Sequence, residues 1–176
     1  MPTVLTHPAV PLALAVALGS RVIDRRLMIA GVVASVIPDL DVIGLRAGIA
    51  YEDVAGHRGI THSLVFAVLL GLIALFWTRS LRASRTSAFL FVSISAASHG
   101  LLDMLTNGGL GVALFWPFSD ARYFFPERVI EVSPLRVRRV FGEAGARVFA
   151  SEILWVWLPA VAIATVAYAA RKRRAL

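Results

Sequence analysis

The cleanest apolar run of the chain constrains its fold most. Residues Ile153–Ala170 contain no Asp, Glu, Lys or Arg, and Trp155, Trp157 and Tyr168 lie near the ends of the run. Tryptophan and tyrosine are enriched at membrane–water interfaces, and a helix needs about 20 apolar residues to cross a bilayer core. A lipid-exposed backbone must also satisfy its hydrogen bonds within its own segment. The run therefore predicts a transmembrane helix.

Four further apolar stretches precede this run, and together they predict a polytopic membrane protein. The chain is 58% hydrophobic and 16% charged, whereas soluble domains have about 45–50% apolar and about 25% charged residues. We predict an all-α fold of about five apolar helices, with residues 1–176 as one domain. The first two stretches are short for a span, so buried core helices or a re-entrant pair are alternatives. The four stretches are Val4–Gly19, Leu27–Ile37, Leu64–Trp77 and Ala88–Leu105.

Arginine clusters predict the orientation of these helices. They lie on alternate connections, and with five spans all of them fall on one side of the membrane, which the positive-inside rule makes cytoplasmic. The formal charge of +7 then faces anionic headgroups, so we expect membrane lipids as partners and no nucleic acid. The N-terminus and the 39–62 loop are expected on the outer side. The clusters are Arg21, Arg25 and Arg26, then Arg79, Arg82 and Arg85, then Arg171 to Arg174.

A compact polar stretch, Gly56-His57-Arg58-Gly59-Ile60-Thr61-His62-Ser63, interrupts the apolar sequence. Thr61 or Ser63 is suited to cap the helix that follows. That cap would put His62 at a helix N-terminus, where free N–H groups favour an anion. Imidazoles and carboxylates that converge from separate helices are what a divalent metal site requires.

Other His and Asp residues fall at the same predicted depth. His7, Asp39, His62 and His99 are each separated by about 13–17 residues from an arginine cluster, or roughly 20–25 Å of helix. His99 and Asp103 are four residues apart, so both project from one helix face. Each group has a simpler interpretation: a buried hydrogen bond for His99 and Asp103, a solvated turn after Pro38 for Asp39 and Asp41, and an exposed histidine at His7. Their shared depth favours one metal site at one membrane face.

These residues also resemble a known family. Thr6-His7, Pro38-Asp39-Leu40-Asp41, His57 to Ser63, and Ser98-His99 to Asp103-Met104-Leu105-Thr106 are similar to the YdjM-type inner-membrane proteins, described as membrane-bound metal-dependent hydrolases. Leu114 to Pro117 and Ser151-Glu152 fit the same pattern. One departure is Val42, where many relatives carry a histidine. The resemblance implies a bacterial-type inner (cytoplasmic) membrane location and these metal-site residues: His7, Asp39, Asp41, His57, His62, His99 and Asp103.

We therefore predict a metal-dependent hydrolase that acts through a metal-activated water. The seven candidate ligands exceed the four that one zinc ion needs, so the number fits two ions. Asp39 or Asp41 could bridge the two ions. Imidazole and carboxylate ligands suit zinc or manganese. Asp39, Asp41 and Arg58 are the predicted catalytic residues. Arg58 either clamps an anionic oxygen or snorkels to the interface. A phosphoester, small or lipid-like, is the substrate class expected, and a serine nucleophile is disfavoured because the histidines are occupied.

Two other function classes use the same residues. A transporter or proton relay also places His and Asp within a membrane, and a non-enzymatic metal-binding protein needs no substrate. A bis-histidine haem protein is disfavoured because nothing else marks a haem pocket. The aromatic segment from Phe115 to Phe125 predicts an interfacial loop, and the arginine-rich segment that follows, from Leu135 to Arg147, predicts an amphipathic helix on the membrane.

Overall fold

Eight α-helices make up most of the part of the chain that a computed structural model describes, residues 1–133 and 142–174. Short 3₁₀ segments at Ile37–Asp41, Ile60–His62 and Leu75–Trp77 and a π-helical segment at Ile153–Trp157 link them. Most of the segment predicted as an interfacial amphipathic helix lies outside the described residues. The α-helices are α1 (Ala9–Leu18), α2 (Arg25–Ala34), α3 (Val42–Arg46), α4 (Leu64–Ala74), α5 (Thr78–Leu81), α6 (Arg85–Met104), α7 (Glu143–Glu152) and α8 (Leu158–Arg173).

Four helical segments are long and apolar enough to cross a membrane: Arg25–Arg46, Leu64–Leu81, Arg85–Met104 and Glu143–Arg173. The helix α1 is shorter. This confirms the all-α, multi-pass prediction. The second apolar stretch was expected to be short for a span, and the structure corrects this expectation. The 3₁₀ turn and α3 extend α2 into a continuous segment of 22 residues.

The helix α6 is the centre of the bundle, with α2 and α4 packed on it, while α1 packs on α8. Small residues bring the helices close together, as is common between membrane helices. A Cβ atom added to Gly71 of α4 would lie 1.9 Å from the Ser93 Oγ of α6, and one on Gly31 of α2 would lie 2.3 Å from the Phe91 ring. Larger residues at either glycine would therefore push α6 away.

Apolar side chains also cover the outside of the bundle. Phe76 is 85% exposed and Val166 is 70% exposed, whereas a soluble protein of this size rarely exposes a continuous apolar surface. In a bilayer these side chains contact lipid tails.

The arginine clusters lie at one end of the bundle, as predicted. Arg26 donates a hydrogen bond to the Ser80 carbonyl (3.1 Å), and Arg171 donates to the Val16 carbonyl (2.8 Å). The N-terminal segment lies at the opposite end, where Ser133 N–H donates to the Met1 carbonyl (2.9 Å). The basic end and the His/Asp end of the bundle are therefore separate.

Candidate metal centre

Seven His and Asp side chains meet at the end of the bundle opposite the arginines, as the depth argument predicted. They come from the N-terminal segment, the 3₁₀ turn after α2, the loop before α4, and α6. Their side chains are 0–3% exposed except Asp39, at 7%. They are His7, Asp39, Asp41, His57, His62, His99 and Asp103.

The helix α6 supplies two residues from one face. His99 and Asp103 are four positions apart, so both point into the cluster. His99 Nδ1 lies 2.7 Å from the Ser35 carbonyl, which can only accept, so Nδ1 carries the proton and Nε2 has a free lone pair. Nε2 lies 3.0 Å from His62 Nε2 and 3.5 Å from Asp39 Oδ1. A backbone carbonyl thus orients this histidine in the way that metal-binding histidines usually require.

The 3₁₀ turn Ile37–Asp41 carries both upstream aspartates into the cluster. The helix α2 ends at Ala34, and Pro38 is the second residue of the tighter turn. Its missing N–H cannot donate to the Ala34 carbonyl as a continuing α-helix requires. Asp41 accepts from His57 Nδ1 (2.6 Å), Thr61 Oγ1 (2.8 Å) and the Arg58 N–H (3.2 Å). Neither Asp39 oxygen has a hydrogen-bond partner. The alternative of a solvated turn is wrong, since both carboxylates are buried.

The Gly56–Ser63 stretch folds as a tight loop because its glycines allow close backbone contacts. A Cβ on Gly56 would lie 2.2 Å from the Ala50 carbonyl oxygen, and one on Gly59 would lie 2.0 Å from that of Val54. Ser63 caps α4, accepting from Phe66 N–H at 3.1 Å, which confirms one of the two predicted caps. The Leu64 N–H already donates to the Leu114 carbonyl (3.0 Å). The helix start is therefore mostly satisfied by protein and is not a free anion site.

Arg58 is fully buried, so the interpretation as a snorkelling side chain is wrong. Its Nε lies 3.0 Å from Asp103 Oδ2, Nη2 donates to Thr106 Oγ1 (2.8 Å), and Nη1 donates to the Gly108 carbonyl (2.9 Å). Each guanidinium nitrogen therefore faces a protein oxygen. This geometry lets Arg58 hold Asp103 in place. It leaves no pair of guanidinium N–H groups free to bind a substrate anion.

Neither ring nitrogen of His7 makes a hydrogen bond. The position of this side chain is therefore set by ring stacking and by the neighbouring residues of the chain. The ring stacks on His99, with centroids 3.6 Å apart, and Nε2 lies 3.8 Å from carboxylate oxygens of Asp39 and Asp103. Glu152, at the end of α7, accepts from Thr3 Oγ1 (2.7 Å) and Thr6 Oγ1 (2.8 Å). Glu152 thus anchors the segment that carries His7 to the membrane helix beside it.

Buried polar atoms without a hydrogen-bond partner are the feature of the cluster that best fits a bound cation. Among the described residues, both nitrogens of His7 and both oxygens of Asp39 and Asp103 are buried without a hydrogen-bond partner. Buried polar groups are nearly always paired, and an unpaired carboxylate is especially costly. Two groups have ligand atoms within 4.8 Å of one another: His7, His99 and Asp103, and Asp39, His57 and His62. These residues fit one or two divalent metal ions.

The electrostatics of the cluster also favour a cation. Burial, together with the neighbouring His99, lowers the pKa of His7 to about 3, so its ring is neutral and has a free lone pair. At His62, burial opposes the charged form, but Asp103 and Asp41 raise the pKa to about 9. With a protonated His62 and the Arg58 guanidinium, the three carboxylates leave one formal negative charge, and they leave two when His62 gives up its proton to bind a metal. A divalent ion would neutralise that excess.

Sequence reasoning did not assign a role to the residues that support the cluster, although Thr106 and Glu152 belong to the stretches that resemble the family. The Ser35 carbonyl and the Thr106 hydroxyl act through backbone or short side-chain contacts that no spacing reveals. Glu152 contacts residues about 150 positions away. Its signals in the sequence were the Ser151-Glu152 pair that resembles the family and its place beside an otherwise uncharged run. Arg122 binds the carbonyls of His57 (3.0 Å) and Asp53 (2.9 Å) and so stabilises the loop over the site.

A multi-pass helical membrane protein with a buried His/Asp cluster at one end is the class that this fold and site define. The family model described as YdjM inner membrane protein matches residues 1–176. The inner membrane protein YbcI of Escherichia coli (strain K12) is 48% identical over 160 residues, which cover 90% of this chain and 92% of YbcI. The chain therefore belongs to the YdjM inner membrane protein family and is an inner membrane protein. No solved structure matches it.

Proposed function

We propose that this protein is a membrane-bound metal-dependent hydrolase that acts on phosphoesters. The observation that carries the proposal is the set of buried, unpartnered ligand atoms on His7, Asp39 and Asp103. A hydrogen-bonded core would leave the His7 nitrogens and the Asp39 oxygens satisfied, whereas Asp103 Oδ2 already lies 3.0 Å from Arg58 Nε. Zinc or manganese suits a ligand set of imidazoles and carboxylates, and two ions suit the two groups of three.

The chain's own residues then divide into ligands and residues that orient them. His7, His99, Asp103, Asp39, His57 and His62 are the ligand candidates. Asp41 hydrogen-bonds His57 and contacts His62 at 3.2 Å, so it orients two imidazoles. Arg58 holds Asp103. A bound divalent metal supplies Lewis acidity and a water of lowered pKa.

Asp39 is the carboxylate best placed to meet both a cation and a substrate. Its oxygens make no hydrogen bond, and its side chain is the most exposed of the cluster. The phosphoester class rests on the paired ligand groups, because two-metal sites are used for in-line displacement at phosphorus. A lipid-like ester is favoured by the site's position at the end of membrane-spanning helices.

A turnover panel tests this function. We expect purified, metal-replete protein to hydrolyse phosphomonoesters or phosphodiesters, and a chelator to abolish that turnover, which Zn²⁺ or Mn²⁺ then restores. Turnover restricted to carboxylic esters would overturn the phosphoester assignment and leave metal-dependent hydrolysis in place. Tightly bound metal without any turnover would instead support the non-enzymatic metal-binding alternative.

A transporter or proton relay is less well supported. A conducting path needs ionisable or hydrated groups through the membrane. In the described part of the bundle, the buried polar residues of α6 below the cluster are serines, and Ser95 and Ser98 donate to carbonyls of their own helix. The His/Asp groups therefore end at one face.

We propose that this face is the outer one, from the positive-inside rule. Single cysteines at Glu52 and Ala121 lie at the His/Asp end, and those at Ser20 and Ser84 lie at the arginine end; all four positions are exposed. We expect a membrane-impermeant thiol reagent to label only the first pair in intact cells. Permeabilised cells, in which all four must react, are the control. Labelling of Ser20→Cys or Ser84→Cys in intact cells would invert the orientation.

A further inference from the structure

Each of the two ligand groups in the cluster includes one histidine that lies outside the helical segments. His7 lies in the turns before α1, and His57 lies in the loop between α3 and α4. Their partners lie on α6 or on 3₁₀ segments. A metal ligand must be held close to its productive position, so contacts from elsewhere in the chain have to fix the backbone of these two histidines. The groups are His7 with His99 and Asp103, and His57 with Asp39 and His62.

Glu152, the last residue of α7, holds the backbone in front of His7. Its carboxylate accepts hydrogen bonds from the hydroxyls of Thr3 (2.7 Å) and Thr6 (2.8 Å) and from the Thr3 N–H. The Thr6 hydroxyl in turn accepts from Trp157 Nε1 (3.2 Å). Glu152 is 1% exposed, and Thr6 directly precedes His7. A membrane helix therefore sets the position of this ligand through a buried carboxylate.

Arg122 holds the loop that carries His57. Its Nη1 donates to the carbonyl of His57 itself (3.0 Å). Its Nη2 faces the carbonyls of Asp53 (2.9 Å), Glu52 (3.2 Å) and Tyr51 (3.4 Å). Hydrogen bonds from a charged donor are stronger than those between neutral groups. One guanidinium thus gathers four backbone carbonyls of a single loop.

The chain beside Arg122 is itself well fixed. Val112 and Tyr123 exchange both of their backbone hydrogen bonds, at 3.0 Å and 2.9 Å. A Cβ atom on Gly111 would lie 2.9 Å from the Tyr123 carbonyl oxygen, so the glycine permits this close approach. Arg122 is therefore a fixed cation on which the loop carbonyls converge.

We propose that Glu152 and Arg122 are positioning residues, each of which sets the affinity of one of two metal ions. Glu152 acts through His7, and Arg122 acts through His57. The inference rests on the metal centre of the proposed function. The hydrogen bonds of Glu152 end on the segment of His7 and those of Arg122 end on the loop of His57, so the two effects are separate. Residues that orient metal ligands typically contribute about 10–100-fold to metal affinity.

Zn²⁺ affinities of the full-length protein in detergent, measured in a chelator-buffered series, test this assignment. Glu152→Gln keeps the size of the side chain but turns an amide NH₂ towards threonine donors. Arg122→Lys keeps the charge but loses the planar fork that reaches carbonyls on both sides. We expect each variant to bind one ion about 10–100-fold more weakly and the other ion as the wild type does. Glu143→Gln of α7 and Arg128→Lys, both at exposed positions, are the matched controls and should bind both ions normally.

Double variants distinguish positioning from a general loss of stability. His7→Ala already removes the ligand through which Glu152 acts, so adding Glu152→Gln should cost no further affinity. On His57→Ala the loss caused by Glu152→Gln should be retained in full, because the two sites are independent. The reverse pattern is expected for Arg122→Lys. Millimolar guanidinium should restore the lost ion in Arg122→Ala, because it supplies the missing donors, and should leave Glu152→Gln unchanged.

Thr6→Val provides a second variant if Glu152→Gln does not fold. It removes one hydrogen bond to Glu152 and should weaken the same ion to a smaller extent. Equal weakening of both ions by either variant, or an equal further loss on His7→Ala and His57→Ala, would overturn the assignment. Wild-type protein that binds no Zn²⁺ would overturn the metal centre with it. Bound metal without phosphoester turnover would contradict the hydrolase function and leave both positioning roles intact, since every readout here is binding.

Discussion

Replacing His62 or His99 by alanine should remove most of the metal that purified protein carries. The two Nε2 atoms lie 3.0 Å apart at the centre of the cluster, and the other nitrogen of each ring already has a partner on the protein, Thr61 or Ser35. Loss of a direct ligand removes a bond that no neighbour replaces, and metal binding is then strongly weakened. Metal analysis of the purified protein gives the stoichiometry directly.

Asp103 needs a different substitution in the same experiment. Asp103→Ala leaves the Arg58 guanidinium buried without its counter-ion, which costs about 3–5 kcal/mol and threatens folding itself. Asp103→Asn keeps an oxygen near Arg58 while it removes the charge. Asp120→Asn, at an exposed position, is the matched control and should bind metal as the wild type does. Full metal content in His62→Ala, His99→Ala and Asp103→Asn would rule out the cluster as a metal centre.

The height of the cluster was predictable from the sequence because helix rise is fixed. Counting residues from an arginine to a histidine or aspartate on four separate segments gave one common level, and the structure brings His7, Asp39, His62 and His99 together there. The i, i+4 spacing of His99 and Asp103 similarly fixed a shared face. Both arguments use local geometry that tertiary packing changes little.

Contacts between distant parts of the chain were not predictable in this way. Arg58 has a positive φ of 65° and turns inward between Gly56 and Gly59, so an arginine beside a membrane surface is fully buried. The 3₁₀ turn at Pro38 continues the second span, whereas a proline alone predicts an end to the helix. Glu152 and Thr6 meet only because α7 packs beside the N-terminus. Each of these outcomes depends on the packing of the whole bundle.

Asp39→Asn should reduce turnover of the phosphoester substrate by roughly 10³-fold while the protein stays folded. The amide keeps the size of the side chain but removes the negative charge that holds a divalent cation, and loss of one preorganised electrostatic group typically costs about 10²–10³-fold in rate. Neither Asp39 oxygen makes a hydrogen bond, so the substitution breaks none and changes only the charge that faces His99 (3.5 Å) and His7 (3.8 Å). Metal content, turnover and thermal unfolding in detergent are measured on one preparation.

A comparison of Asp41→Asn with Asp39→Asn distinguishes a residue that orients the metal ligands from a residue that binds the metal. Asp41 accepts hydrogen bonds from His57, Thr61 and the Arg58 backbone, so its loss should lower the unfolding temperature and displace two imidazoles. Asp39→Asn should leave the metal-free protein's unfolding temperature unchanged but remove the additional stabilisation that metal gives the wild type. Asp120→Asn should match the wild type in all three measurements. Undiminished turnover in Asp39→Asn would exclude Asp39 as a catalytic ligand.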